Sequence, residues 1–534
     1  MIDKIQILKI YLFSFLLFIS AYCKGQESPN FLWLVCEDQS LFFSMYGDSS
    51  AHTPNINQLA NDGLVYHNCY TTSPVCSPSR SSLITGMYPT TIGTQHMRAY
   101  KKSSVGNEIN KHTSLPYYSS KPIKPIRFFT EDLRANGYYC TNNSKEDYNM
   151  HTSPLAWDES SQVAHWRNRK DGQPFFSVFN FNITHESNIW KNKTSYSEDE
   201  LNNILIPNLF PDNEKIKIDF LTNYKNIEKL DEQIGIIINQ LKADSLYENT
   251  IIFFFSDHGG PFPRYKRSIY ETGLRVPMVA KWIKDTCRGN NYQLISFVDF
   301  APTILDAANI QREFQFEGIS FFKKDHRQYI YAATDRFDEQ IDLRRSIRGN
   351  NYKLIYNGDI TTPIYKPIIY RSQMKTMQVL DSLHKQNKLN LYFSNWMSNN
   401  TKDSFELYKV SKDYYETNNL INNPKYDWVY KELKAQLYMW MDKSDFGNMN
   451  ESIMLDSMFT SSRIIPKLNT PKVINNNSGY LINCNNAYTS IGWRNKSEKV
   501  WNIYKGNELI KPKEDFKILL FRPGYEILIH EFNK

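Results

Sequence analysis

The chain has 534 residues, 41% of them hydrophobic and 22% charged, and 63 basic against 56 acidic side chains give a formal charge of +7. That length excludes one small core and implies about two to four folding units of roughly 100–200 residues each. The two signs of charge are mixed and no Lys/Arg block occurs, which excludes a phosphate-tracking stripe for nucleic acid, while a mild basic excess suits a polyanionic substrate.

The opening stretch MIDKIQILKIYLFSFLLFISAYCKGQ has Lys4 and Lys9 ahead of an apolar run from Ile10 to Ala21. The run is too short to span a bilayer and has the shape of a secretory signal over residues 1–25. Cleavage after Gly25 leaves Gln26 first and predicts a secreted or periplasmic protein with no integral membrane segment. The alternative is a lipoprotein acylated at Cys23, against which bulky Tyr22 stands where a small residue is wanted. Besides Cys76, the remaining cysteines Cys36, Cys69, Cys140, Cys287 and Cys484 form an odd, scattered set, so no disulfide framework is expected.

FLWLVC (Phe31 to Cys36) is a continuous apolar run of strand length. TPNINQLANDG (Thr53 to Gly63) has a Thr-Pro helix start and a Gly stop, and PFFSVFNFN (Pro174 to Asn182) is a second buried strand. From Asp219 to Lys242, Ile227, Leu230, Ile234, Ile238 and Leu241 fall on one helical face, and TIIFFFS (Thr250 to Ser256) follows as a strand. Apolar strands separated by amphipathic helices predict an α/β fold with a mostly parallel sheet flanked by helices. Two of these strands run into charge, one into Glu37-Asp38 and the other into Asp257-His258. Ligand groups gather at carboxyl ends of strands, so both pairs are expected at one sheet edge. After about Gly318, shorter strands (Gln328 to Ala333, Tyr352 to Tyr356, Glu406 to Val410) and a helix near Tyr426 to Met441 predict a smaller α+β subdomain over 319–450. Lys443 to Glu451 reads as a linker. Alternating runs from Pro466 to Lys534 predict a small all-β module.

Within TTSPVCSPSRSSLITG, Cys76-Ser77-Pro78-Ser79-Arg80 followed by Thr85-Gly86 resembles the signature of the type I, formylglycine-dependent sulfatases. PNFLWLVCED, SDHGG, YETGLRVPMV and VDFAPTILDAA resemble further blocks of that family in the same order, over about Pro29 to Asp445. The resemblance implies an alkaline-phosphatase-like catalytic domain over 26–318, whose pocket the 319–450 subdomain completes. It also implies that a maturation enzyme converts Cys76 to Cα-formylglycine (3-oxoalanine). The chemistry accounts for that conversion. A thiol would form a stable adduct with a sulfuryl group, whereas a hydrated aldehyde has one hydroxyl to attack sulfur and a second whose deprotonation ejects sulfate.

By the same resemblance Glu37, Asp38, Asp257, His258 and the modified Cys76 form a Ca2+ site, a hard cation with oxygen ligands. Glu37 departs from the two aspartates common in the first pair. Arg80, at a helix start, braces the nucleophile; Lys145 and Lys266 match sulfate-binding lysines; His185 matches the donor to the leaving oxygen. Many relatives have a histidine two residues after the first lysine, and Asp147 stands there, so Asp147, a water or another side chain acts in sulfate release. GTQHMR and TDRFDEQID resemble pocket loops of polysaccharide-acting relatives and nominate His96, Arg98, Asp335, Arg336 and Asp338 as sugar contacts. Each of these residues also has a plain structural reading: a buried thiol, a helix cap, or a solvated or salt-bridged charge.

The expected activity is hydrolysis of sulfate esters on a sulfated carbohydrate, with ulvan oligosaccharide first and a glycosaminoglycan such as heparan second. A phosphoester or phosphonate hydrolase of the same superfold, and a noncatalytic sulfated-glycan binder that keeps Cys76 as a thiol, remain open. The C-terminal module resembles a small β-domain appended to some hexosaminidase and sulfatase-like proteins; Trp493, Trp501 and Tyr504 serve either its core or sugar stacking.

Overall fold

A computed structural model describes residues 28–534 apart from 106–107, 193, 284–286, 312–314, 323–325, 445, 448, 460–464 and 507. The expected signal segment 1–25 and the alternative acylation site Cys23 lie outside the described residues. Among those residues no helix is long and apolar enough to cross a membrane. The six described cysteines are all free thiols, as their spacing implies.

An eight-stranded sheet organises the chain. Its strands are β1 (Asn30–Cys36), β2 (Leu64–Tyr66), β3 (Tyr139–Asn143), β4 (Glu159–Ser160), β5 (Phe175–Phe181), β6 (Thr250–Ser256), β7 (Met278–Lys281) and β8 (Gly289–Asn291), in the order β8-β2-β7-β6-β1-β5-β3-β4. Every pairing is parallel except those of β7 with β2 and β6. The central strands are apolar throughout because both faces are covered. Phe31, Trp33 and Val35 of β1 join Phe253 and Phe255 of β6 in one core layer, and Leu32, Leu34 and Cys36 join Ile252 and Phe254 in the other. This is the period-2 alternation of a strand. Trp33 sits among Phe129, Phe176, Phe253, Phe255 and Phe300.

Helix α1 (Pro54–Asp62) starts after Thr53 with Pro at its first position and stops at Gly63. Gly63 is required by a close approach, since a Cβ there would stand 2.6 Å from the Ala280 carbonyl oxygen. The expected long helix is α3 (Glu214–Ala243), 30 residues, with Ile227, Leu230, Ile234, Ile238 and Leu241 buried.

Beyond the main sheet, β9 (Ile330–Phe337), β10 (Gln340–Arg348), β11 (Lys353–Asn357) and β12 (Phe405–Tyr408) form an antiparallel sheet. Helix α4 (Asp427–Lys443) lays Val429, Leu433, Leu437 and Trp440 on it. TDRFDEQID, expected as a pocket loop, is instead a β-hairpin joining β9 to β10. Described residues of the expected linker 443–451 pack on the body: Phe446 is buried with Ala99 and Tyr118, and Glu451 opens a helix to Met458. The last segment is all strand. A ribbon of β13 (Lys472–Asn476) and β14 (Gly479–Asn483) precedes a sheet of β15 (Ser490–Asn495), β16 (Asn502–Ile503), β17 (Phe516–Phe521) and β18 (Leu528–Phe532). Tyr504 lies in this module's core, with Trp493 packed against it.

Candidate active site

β1 and β6 are parallel neighbours with Cys36 opposite Ser256, so Glu37-Asp38 and Asp257-His258 leave the sheet side by side at its carboxyl edge. All four are buried. Asp38 turns into the left-handed region (φ 53°), and its backbone N–H donates to Asp257 Oδ1 at 3.2 Å. Helix α2 (Cys76–Thr85) points its first residue at this edge, placing Cys76 Sγ 3.2 Å from His258 Nε2.

All ten residues of α2 are buried although five are Ser or Thr. Hydroxyl bonds make that possible: Ser79 Oγ donates to the Asp257 carbonyl (2.5 Å), Ser82 pairs with Thr72 (2.6 Å), Ser81 with Thr94 (2.7 Å), and Thr85 donates to the Ser81 carbonyl (2.6 Å). Gly86 closes the helix at φ 65°. Behind His258, Gly259 and Gly273 meet backbone to backbone, with Gly259 N–H donating to the Gly273 carbonyl at 2.9 Å. A Cβ on Gly259 would stand 2.1 Å from the Thr272 carbonyl oxygen, a physical reason for glycine in both SDHGG and YETGL.

Cations enclose the acids. Arg80 donates from Nε to Asp257 Oδ2 (3.1 Å) and from Nη1 to Asn180 Oδ1 (2.7 Å), with Nη2 3.8 Å from Glu37. Lys145 Nζ donates to Glu37 Oε1 at 2.6 Å. Lys266 Nζ donates to Asp38 Oδ2 at 2.7 Å and lies 3.1 Å from Glu186 and 3.4 Å from His185 Nε2. Burial works against the charge of Asp38, but Lys266 first, then His185 and His258, hold it well below the usual carboxylate range. Burial likewise opposes charge on His258, and Asp257 leads the neighbours that push it up to about 10. Burial and the nearby Lys266 lower His185. Donors face both nitrogens of the His185 ring: Ser187 backbone N–H reaches Nδ1 at 3.3 Å, and the Lys266 ammonium stands 3.4 Å from Nε2.

Two groups offer converging ligand atoms, Asp38 with Cys76 and His258, and Glu37 with Asp38 and His185, each within 4.8 Å. Asp38 Oδ1 is buried, and its near neighbour is His258 Nε2 at 3.2 Å. Buried carboxylates of Glu37, Asp38 and Asp257 converging with one imidazole offer the donor set of a hard divalent cation.

The residues nominated as sugar contacts divide. Asp335 is engaged by Arg345 through two bonds of 3.1 and 3.0 Å, and Arg336 by Glu451 at 2.6 and 2.9 Å; both lie inside the molecule. Buried His96 accepts the Arg336 backbone N–H at 3.3 Å. Arg98 keeps 45% of its side chain exposed while its Nε donates to Asp338 at 2.6 Å, and Arg267 donates to the other oxygen of Asp338 at 2.9 Å. Asp147 accepts from Ser77 Oγ at 2.6 Å and stands 3.8 Å from Lys145.

Sequence reading passed over Asn180, Glu186 and Arg267. Glu186 receives Arg267 at 2.9 and 2.8 Å, and its backbone N–H donates to Asp38 at 2.7 Å. Burial opposes its charge, yet Arg267 and Lys266 hold its carboxyl down at about 2. The available signal was adjacency, since Glu186 follows His185 and Arg267 follows Lys266.

A family model described as Sulfatase matches residues 29–310, and one described as N-sulphoglucosamine sulphohydrolase, C-terminal, matches 262–400. An ulvan-active sulfatase of Formosa agariphila is 39% identical, covering 94% of this chain and 91% of its own length. Among solved structures, a 2-O GAG sulfatase aligns with a TM-score of 0.57 at 17% identity over 79% of this chain and 94% of that one. A phosphonate monoester hydrolase of Agrobacterium radiobacter aligns with a TM-score of 0.56 at 14% identity over 78% and 96%. Both structural likenesses show the fold.

Proposed function

The chain belongs to the sulfatase family and is a sulfuric ester hydrolase, and from that premise we propose that it removes sulfate esters from ulvan or its oligosaccharides, with Cys76 matured to Cα-formylglycine beside a calcium ion. The substrate reading is supported by the 39% identical ulvan-active relative. The observation that carries the chemistry is the approach of Cys76 Sγ to His258 Nε2 at 3.2 Å, beside Asp38 Oδ1 at 3.2 Å from the same nitrogen. The Sγ atom stands where a hydroxyl of the hydrated aldehyde would lie.

Asp38 and His258, with Asp257 and Glu37, would hold the ion, which supplies positive charge that favours an ionised hydroxyl. Lys145 and Lys266 bring charge to the sulfate oxygens. Arg80 neutralises Asp257 and Glu37 beneath the nucleophile. His185 donates a proton to the ester oxygen as the S–O bond breaks. Asp147, bonded to Ser77 and close to Lys145, takes the proton lost when sulfate departs. Arg98 and Asp338 supply the sugar contact nearest the opening. On this reading the chain comprises an exported catalytic unit over 26–318, a subdomain over 319–450 and an accessory β module over 466–534.

The test measures sulfate released from defined ulvan and heparan oligosaccharides alongside aryl phosphate hydrolysis, with the mass of the peptide that contains residue 76. The expected result is the mass of an aldehyde in place of a thiol, preferential release from ulvan, and loss of activity with EGTA that Ca2+ restores. A peptide that keeps its thiol in active protein, or a preference for phosphate, overturns the reading.

A further inference from the structure

A cavity of about 780 Å³ shares no lining residue with the cluster around Cys76. Its volume lies within the ~300–1,000 Å³ typical of ligand sites. The walls come from the segment after Asp38, from the His67-Asn68 turn and from Val410 to Tyr415. Three cations, Arg275, Arg348 and Lys412, line it against one carboxylate, Asp48. Asp48 already accepts from Tyr224 Oη at 2.8 Å and from Ser50 N–H at 3.0 Å. Arg348 is 5% exposed and its Nε lacks a hydrogen-bond partner. Its other end lies 3.6 Å from Glu271, a carboxylate that also faces Lys353 at 3.5 Å. Lys412 is exposed at the mouth, where Tyr414 and Tyr415 meet edge to face at 5.0 Å and the Arg275 guanidinium stands 5.8 Å from the Tyr414 ring.

We propose that this cavity is a second carbohydrate site, which takes a sulfated or uronate-bearing stretch of the same polymer that the reaction centre cuts. The proposal rests on the substrate reading above. Surplus positive charge favours anionic substituents, guanidinium forks match carboxylate and sulfate oxygens, and tyrosine faces receive the C–H faces of sugar rings. A chain seated here keeps its other units near Cys76, which raises their local concentration without contributing to the chemical step.

The test compares wild type with Arg275→Gln/Lys412→Glu and with Tyr414→Ala, all checked for unchanged Tm. Expected for both variants is a KM for polymeric ulvan raised about five-fold or more, with kcat and the KM for a sulfated monosaccharide unchanged. In a Cys76→Ala background, calorimetry with an ulvan oligosaccharide is expected to show two sites, one of them weakened about ten-fold by the double change. If Arg275→Gln impairs folding, Lys412→Glu/Tyr414→Ala carries the test. An unchanged polymer KM in folded variants overturns the second site while leaving the substrate reading intact. No sulfate release from any carbohydrate by the matured wild type overturns the substrate reading instead.

Discussion

Five non-glycine residues around the site, Asp38, Arg98, Asp147, Arg267 and Asp338, have φ between 51° and 68°. Each costs on the order of 1 kcal/mol or more and persists because ion pairs over-determine it. For the proposed nucleophile, Cys76→Ala is expected to reduce sulfate release by at least ~1,000-fold, with Tm unchanged because Cys76 is small and its thiol contacts His258 at 3.2 Å. Glu186 is a positioning residue. Glu186→Gln weakens the hold on Lys266 and Arg267, and kcat is expected to fall about 10–100-fold, with partial rescue in Glu186→Asp; an unchanged kcat would leave Lys266 positioned by Asp38 alone. Cys76 and Arg80 were legible in the sequence because several chemically distinctive residues fall at fixed spacing. Glu186 was not, since its value depends on Arg267, 81 positions away.

At the scale of elements, legibility followed the kind of burial. β1, β6 and α3 were visible as apolar runs or a 3.6-residue period because they are buried by hydrophobic contact. Helix α2 has no apolar face and shows as a helix only through hydroxyl partners on other segments. The β9–β10 hairpin was masked for a related reason: Asp335 pairs with Arg345, and Arg344 with Glu406 at 2.6 Å, so charged residues occupy interior positions and erase the alternation of a strand. Asp219 of α3 joins two elements by accepting Thr376 N–H at 2.6 Å and Oγ1 at 2.8 Å, at the start of the helix Lys375–Lys385. Burial raises its carboxyl to about 6 from the usual 3.8. The folded state therefore binds this proton more tightly, so stability is retained below about pH 4 and lost as pH rises to 6. Asp219→Asn keeps the acceptor and removes the charge. It is expected to be more stable than wild type at pH 7.5 by on the order of 1–3 kcal/mol and equal to it near pH 4, read from thermal melts; a pH-independent difference would refute this account.

For the whole molecule, the C-terminal strands are docked rather than tethered. Leu519 and Phe521 enter the main core, Arg134 donates to the Trp501 carbonyl at 2.7 Å, and Ser490 donates to Glu131 at 2.5 Å. Phe521→Ala is expected to destabilise the chain by about 3–5 kcal/mol, with the melt of the main body shifting; a shift confined to a separate, small transition would show an independent module. The enclosure of α2 has a further consequence, for the order of events in the life of the chain. With Cys76 only 3% exposed and its helix buried on every side, a second protein cannot grip the surrounding residues once the sheet has closed over them. On the proposed maturation of Cys76, oxidation at this position would have to run ahead of folding. Maturation enzyme added to the folded thiol form is expected to leave it inert, whereas the same treatment of the denatured chain before refolding is expected to yield active molecules; on the proposed reading, supply of that catalyst during synthesis would set the fraction of protein that works.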